Sequence, residues 1–261
     1  MLARIFRRLV VPVLLALAIG ISLPSLAQGT APAAGHGRYD AQIEKAVTQK
    51  LQSKDKLKDV RASVEDGIIA LTGNVKLYSD KLQADSLAHH VEHAQGVRNH
   101  ITVQPATVSD AKLQQEIADR LRYDRVDMGI TFNNFALGVN HGVVTISGEA
   151  RTPVDKDSAL SIVENTPGVT DVVDDVKVLP TSQMDDEIRI RTARAIYGYP
   201  ALQKYAMDPQ APIRIVVDHG NVTLYGVVDS QMDKQLAETQ ARQVPGVFSV
   251  TDKLVVANQG K

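Results

Sequence analysis

Three groups of residues have types and spacings that could do chemistry. His89, His90 and His93 form a short run in which the first and last stand four apart. On a helix that spacing puts two imidazoles on one face, where they could share a metal. No acidic third ligand is fixed by spacing, although Glu92 is adjacent, and the run also reads as a solvated helix face. His141 and His219 each precede a glycine, and Asp66 stands in the matching place. A tight turn explains all three better than catalysis does. Asp80-Lys81, Asp155-Lys156 and Asp233-Lys234 recur at one offset, and an acid in the first turn of a helix, favourable to its dipole, accounts for them. There is no positioned base, nucleophile or cofactor cradle, so no enzyme, cofactor or bound metal is expected.

The third group is the cluster Arg189, Arg191, Arg194, Tyr197, Tyr199, Lys204 and Tyr205. Cations beside amphipathic aromatics suit the headgroup region of a membrane, where each basic residue contributes about 1 kcal/mol at an anionic surface. The alternative is that the tyrosines pack on their own sheet and the arginines are solvated. The cluster is a candidate lipid contact.

The elements that must position these residues are read from repeated glycines. VNHGVVTISGEA, residues 139–150, has alternating apolar residues on both sides of His-Gly. That is a hairpin whose type I′ turn needs positive φ at both central residues. The second glycine, Gly148, is expected to end the outgoing strand at a bulge or sharp exit. VEDGIIALTGNV (64–75) and VDHGNVTLYGVV (217–228) superimpose on it without gaps, aligning Gly67, Gly142 and Gly220, then Gly73, Gly148 and Gly226. The match continues through Ala84, Ala159 and Ala237 to Val103, Val178 and Val256.

Each copy opens with a helix, for which Asp40, Asp110 and Asp185 are plausible N-caps. After the hairpin comes a second helix. It stops at Pro167-Gly168 and Pro245-Gly246 in two copies. The first copy has His93 in place of that glycine, so its helix is expected to run on toward Gly96. A valine-rich strand closes each unit. The order αββαβ makes three tandem two-layer α+β domains, over residues 40–105, 110–180 and 185–258. Units of this size are marginal alone, so contacts between neighbours are expected to add stability. The glycines Gly67, Gly73, Gly142, Gly148, Gly168, Gly220, Gly226 and Gly246 are assigned to the backbone, not to a ligand.

Residues 1–27 read as a cleavable signal peptide: Arg4, Arg7 and Arg8, an apolar run, then Ser25-Leu26-Ala27. Arg7-Arg8 leaves general and twin-arginine export both open. Cleavage would leave 26 basic against 30 acidic residues, a formal charge of −4, which is not a nucleic-acid binder's balance. No cysteine is present, so there is no disulfide and no thiolate site. Residues 28–39, rich in Ala, Pro and Gly, read as a flexible linker.

The pattern of a strand, Asp/His-Gly, x-V-x-L-x-G, a helix, P-G-V and a Val-rich strand resembles the BON domain family. PIRIVVDHGNVTLYGVVDS and VPGVFSVTDKLVV in the third copy carry the likeness best. The resemblance implies a periplasmic, non-enzymatic protein associated with phospholipid surfaces or with the cell envelope under osmotic stress. It implies no catalytic residue. A second class of function stays open, in which the domains bind envelope proteins as a chaperone-like factor or adaptor. Strand addition at sheet edges and exposed positions such as Ile68 and Ala70 would serve that role.

Overall fold

The computed structural model describes residues 37–105, 107–123, 131–207 and 212–257. The expected signal peptide and all but the last three linker residues lie outside them. The first domain comprises α1 (Asp40–Gln52), a 3-10 turn at Asp55–Leu57, β1 (Arg61–Glu65), β2 (Ile68–Val75), α2 (Tyr78–His89) and β3 (Gly96–Val103). The second comprises α3 (Asp110–Tyr123), β4 (Asn134–Asn140), β5 (Val143–Ala150), α4 (Pro153–Glu164) and β6 (Asp171–Val178). The third opens with α5 (Gln183–Tyr197), a 3-10 turn at Pro200–Leu202 and the short α6 (Lys204–Met207). It continues through β7 (Arg214–Asp218), β8 (Asn221–Val228), α7 (Gln231–Arg242) and β9 (Ser249–Val256).

In each sheet the second strand is central, antiparallel to the first and parallel to the third. Parallel pairing needs a crossover, which α2, α4 and α7 supply. The turn residues Asp66, His141 and His219 have φ of 50°, 50° and 49°, and the glycines that follow have 77°, 77° and 76°. The turns therefore set the registers Val64↔Ile69, Val139↔Val144 and Val217↔Val222. Ile69, Leu71, Val144, Ile146, Val222 and Leu224 are fully buried. Burial of each such side chain contributes about 1.5–3 kcal/mol. The first helices cover them with Ile43, Val47 and Leu51, with Leu113 and Ile117, and with Ile188 and Ile196. The crossover helices approach through small residues, chiefly Ala84, Ala88, Ala159, Ala237 and Ala241.

Three sequence expectations are corrected. The second hairpin glycines do not end their strands, which run two residues further. A Cβ on Gly148 would lie 2.1 Å from the Asn134 carbonyl oxygen, so glycine is needed for close approach of the incoming strand. The first copy's crossover helix is not longer: α2 stops at His89, the position equivalent to the ends of α4 and α7. His93 itself takes the left-handed conformation, φ 68°, with its ring stacked on Tyr39 at 4.1 Å. Finally, Asp40, Asp110 and Asp185 fall inside the first helices instead of capping them; Ser182 caps α5.

The domains touch. Tyr78 packs against the first and second cores together, and Ser79 Oγ donates to Asn165 Oδ1 at 2.9 Å. Burial, with a hydrogen bond to Asp171, pushes the Tyr78 phenol up to about 12. Phe132, from the lead-in to β4, sits in the third domain's core. Arg214 Nη1 donates to Asn134 Oδ1 at 3.3 Å, and Arg151 pairs with Asp186 at 3.2 Å.

Candidate functional site

The aspartates that open the first helices have a different task from capping. Asp40 Oδ1 accepts from Gly67 N at 2.8 Å and Oδ2 from Asp66 N at 3.0 Å. Asp110 takes Gly142 N at 3.1 Å and His141 N at 2.7 Å. Asp185 takes Gly220 N at 2.8 Å and His219 N at 3.0 Å. A left-handed pair in a turn aims two successive N–H groups the same way, and a bidentate carboxylate fits them. His141 and His219 point their Nδ1 atoms at Asn140 Oδ1 and Asp218 Oδ1, both at 2.6 Å, as turn residues. In the histidine run, His89 Nδ1 faces Asp85 Oδ2 at 3.1 Å and His90 Nδ1 faces Ser86 O at 2.7 Å.

Two of the three recurring lysines, Lys156 and Lys234, guard the sheet edges. Lys156 Nζ donates to Val176 O at 3.0 Å and pairs with Asp174 at 2.7 Å, while Asp174 Oδ1 accepts from Val176 N at 3.0 Å. In the third domain Lys234 Nζ takes Leu254 O at 2.6 Å, and Asp252 Oδ1 takes Leu254 N at 2.8 Å. In the first, Asn99 Oδ1 takes Ile101 N at 3.1 Å. In a parallel pair one residue's N–H and C=O point to the same side, so these groups belong to the outer edges of β3, β6 and β9. On the opposite edges, Gln114 Nε2 donates to Leu137 O at 2.9 Å and Arg189 Nη2 to Val217 O at 2.6 Å. Edges covered this way resist strand addition.

The basic and aromatic cluster of the third domain is taken apart by the helix period. Arg189 is 2% exposed, held by Val217 O and Asp186. Tyr205 is buried; its hydroxyl donates to Asp233 Oδ2 at 2.8 Å and accepts from Asp229 N at 2.7 Å. Tyr197 donates to Ile213 O, and burial pushes its phenol up. Tyr199 is half-buried against the core. Lys204 pairs with Asp229 at 2.6 Å and Asp233 at 3.0 Å, which holds its ammonium above the usual lysine range. Burial raises the Asp233 carboxyl, but Lys204, Tyr205 and Ser230 together outweigh it and bring it below its ordinary 3.8. Arg191 and Arg194 remain exposed, Arg191 paired with Glu187 at 2.6 Å.

A different surface is left uncovered at the same end of the domain as α6. Val227 and Val255 are registered neighbours on the sheet face away from the helices, 45% and 61% exposed. Met232 stands in the first turn of α7, 63% exposed, and Met207 ends α6, 81% exposed. The contacts of Lys204 and Tyr205 hold α6 against the β8–α7 connection, which brings Met207 to the end where Met232 lies.

A model of the BON domain matches residues 39–105, 109–180 and 201–258. Two solved structures of CdsD, a structural protein of the type III secretion system of Chlamydia trachomatis, are similar. One is 14% identical with a TM-score of 0.24, covering 82% of this chain and 92% of that one. The other, its C-terminal domain, is 13% identical with a TM-score of 0.25, covering 81% and 96%. No curated protein matches the chain.

Proposed function

Because the chain belongs to the BON domain family, with three such domains in series, we propose that it is a non-enzymatic periplasmic protein. It attaches to phospholipid surfaces through its third domain and supports the envelope under osmotic stress. The observation that carries this reading is the exposure of Met207, Val227, Met232 and Val255 on the third domain. Large apolar side chains left exposed on one small domain favour transfer to an apolar phase. Transfer of one such side chain to an apolar phase is worth about 1.5–3 kcal/mol, so four give a reversible attachment of the strength of a single lipid anchor.

Charge has a smaller part than the sequence implied. Lys204 and Arg191 are already paired, and Arg189 is needed inside. The covered sheet edges weigh against a strand-adding adaptor.

The test is sedimentation of the full exported chain with anionic and zwitterionic liposomes. Met207→Ser with Met232→Ser should weaken binding about tenfold or more, at low and high salt alike. Arg191→Ser with Arg194→Ser should change it less than threefold at about 0.15 M salt. Unchanged binding by the methionine variant would sink the reading. Failure of the wild-type chain to bind either vesicle would transfer this end to a protein partner of the envelope.

A further inference from the structure

The first domain lacks the guard that covers the first hairpin strand in the other two. Gln114 covers Leu137 O and Arg189 covers Val217 O, but the aligned residue of α1 is Glu44, a carboxylate with no proton to donate. Glu44 is exposed and makes no hydrogen bond or ion pair among the described residues. In β1 the register runs Glu65↔Ile68, Val64↔Ile69, Ser63↔Ala70, Ala62↔Leu71 and Arg61↔Thr72. The two-residue turn makes Glu65↔Ile68 a hydrogen-bonded pair, and such pairs alternate with open ones. The main chain of Ser63 and Arg61 therefore also faces β2, while that of Ala62 and Val64 faces outward. No side chain among the described residues closes on the N–H or C=O of Ala62 or Val64. An edge left in this state is a template for a further strand.

The side chains decide which strand fits. Ala62 and Val64 point into the first core, so Arg61, Ser63 and Glu65 stand on the opposite face, and all three are exposed. Arg61 Nη1 rests on Lys58 O at 2.7 Å, and neither Arg61 nor Glu65 has an ion pair among the described residues. Turned antiparallel about a two-fold axis through Ser63, this strand is its own complement. Ala62 meets Val64 of the second copy, and the reverse, each pair exchanging both of its N–H···O bonds. Arg61 then lies opposite Glu65 on both sides of the axis, as cross-strand charge pairs. Registers centred on Ala62 or Val64 instead lose both charge pairs.

We propose that the open edge of β1 pairs with β1 of a second copy of this chain, joining two three-stranded sheets into one across a two-fold axis. An interface of this kind uses the same patch on both partners and closes at two chains. Gln114 and Arg189 keep β4 and β7 of either copy from taking the place of β1. The pairing is independent of attachment to lipid, and its test contains none.

The experiment is sedimentation equilibrium of the full exported chain over about 1 μM to 1 mM. The average mass should rise from one chain towards two and no further. Arg61→Glu sets a carboxylate opposite Glu65, and Glu65→Arg sets a guanidinium opposite Arg61. Each variant alone should self-associate about tenfold or more weakly than the parent. An equimolar mixture of the two variants restores opposite charges at both pairs, so it should associate within about threefold of the parent. Recovery on mixing separates a lost contact from a lost fold. A mass of one chain throughout, masses beyond two, unchanged association in both variants, or no recovery on mixing would each overturn the proposal.

Discussion

Replacing Asp185 by alanine tests the repeated turn clamp where it is most buried. The carboxylate accepts two main-chain N–H groups, from Gly220 at 2.8 Å and His219 at 3.0 Å. Hydrogen bonds to a charged group are worth about 1.5–3 kcal/mol each, and a buried N–H left without a partner costs a similar amount. The contact to Gly220 is buried, whereas water can reach the His219 amide, which is part-buried. The expected loss is therefore about 3 kcal/mol. For a domain of this size, 1 kcal/mol moves the melting temperature by about 4–8 °C, so the third domain should melt at least ~12 °C lower. Asp185→Asn, which presents an NH₂ to one of the two donors, should fall between. Scanning calorimetry gives the shift, and amide exchange at Gly220 shows whether the turn has opened. An alanine variant that melts within ~2 °C of the parent, with the Gly220 amide still protected, would refute the clamp.

Gly148→Ala places a Cβ 2.1 Å from Asn134 O at φ 119°, whereas Gly138→Ala meets open space; thermal melting should show a loss of ~3 kcal/mol or more for the first and under ~0.5 kcal/mol for the second. Phe132→Ala should destabilise the third domain by ~3 kcal/mol although the residue belongs to the second repeat, measured as a drop in the melting transition reported by the Gly220 amide. Asp233 has a folded pKa below its ordinary 3.8, so its contribution is present above that value and is lost as pH falls through the folded pKa. Asp233→Asn should therefore be less stable than the parent at neutral pH, with the gap closing below about pH 4; a gap independent of pH would contradict this.

Much of the fold was open to reading because the repeat doubles as its own control. Turn glycines, alternating Ile69/Leu71, Val144/Ile146 and Val222/Leu224, and the aligned crossover alanines each follow from local rules of conformation and period, and the buried positions agree. Asp40, Asp110 and Asp185 were misassigned because a cap is a local contact, whereas these residues act 26, 31 and 34 positions away. The basic cluster is divided between core and surface for a related reason. Proximity in sequence placed seven residues together, but Arg189 shares a helix stripe with Asp185, Ile188, Thr192 and Ile196, all buried. That stripe was visible in the spacing. The docking of α6 was not, since Lys204 and Tyr205 find their partners 24 to 29 positions away.

The covered strand edges bear on how such a chain survives its own synthesis. Three units of one fold on one polypeptide meet at about millimolar effective concentration, and each offers strands that would suit its siblings. Mispairing between like neighbours is the characteristic hazard of that arrangement. Here the guard is written beside what it guards: Asn99, Asp174 and Asp252 stand two residues before the amide each one covers. Lys156 and Lys234 lie in the crossover helix of the same repeat. Each unit can thus seal its last strand as it folds, without waiting for a neighbour. A gene encoding such a unit can be duplicated in tandem and carry its protection against entanglement into every new copy.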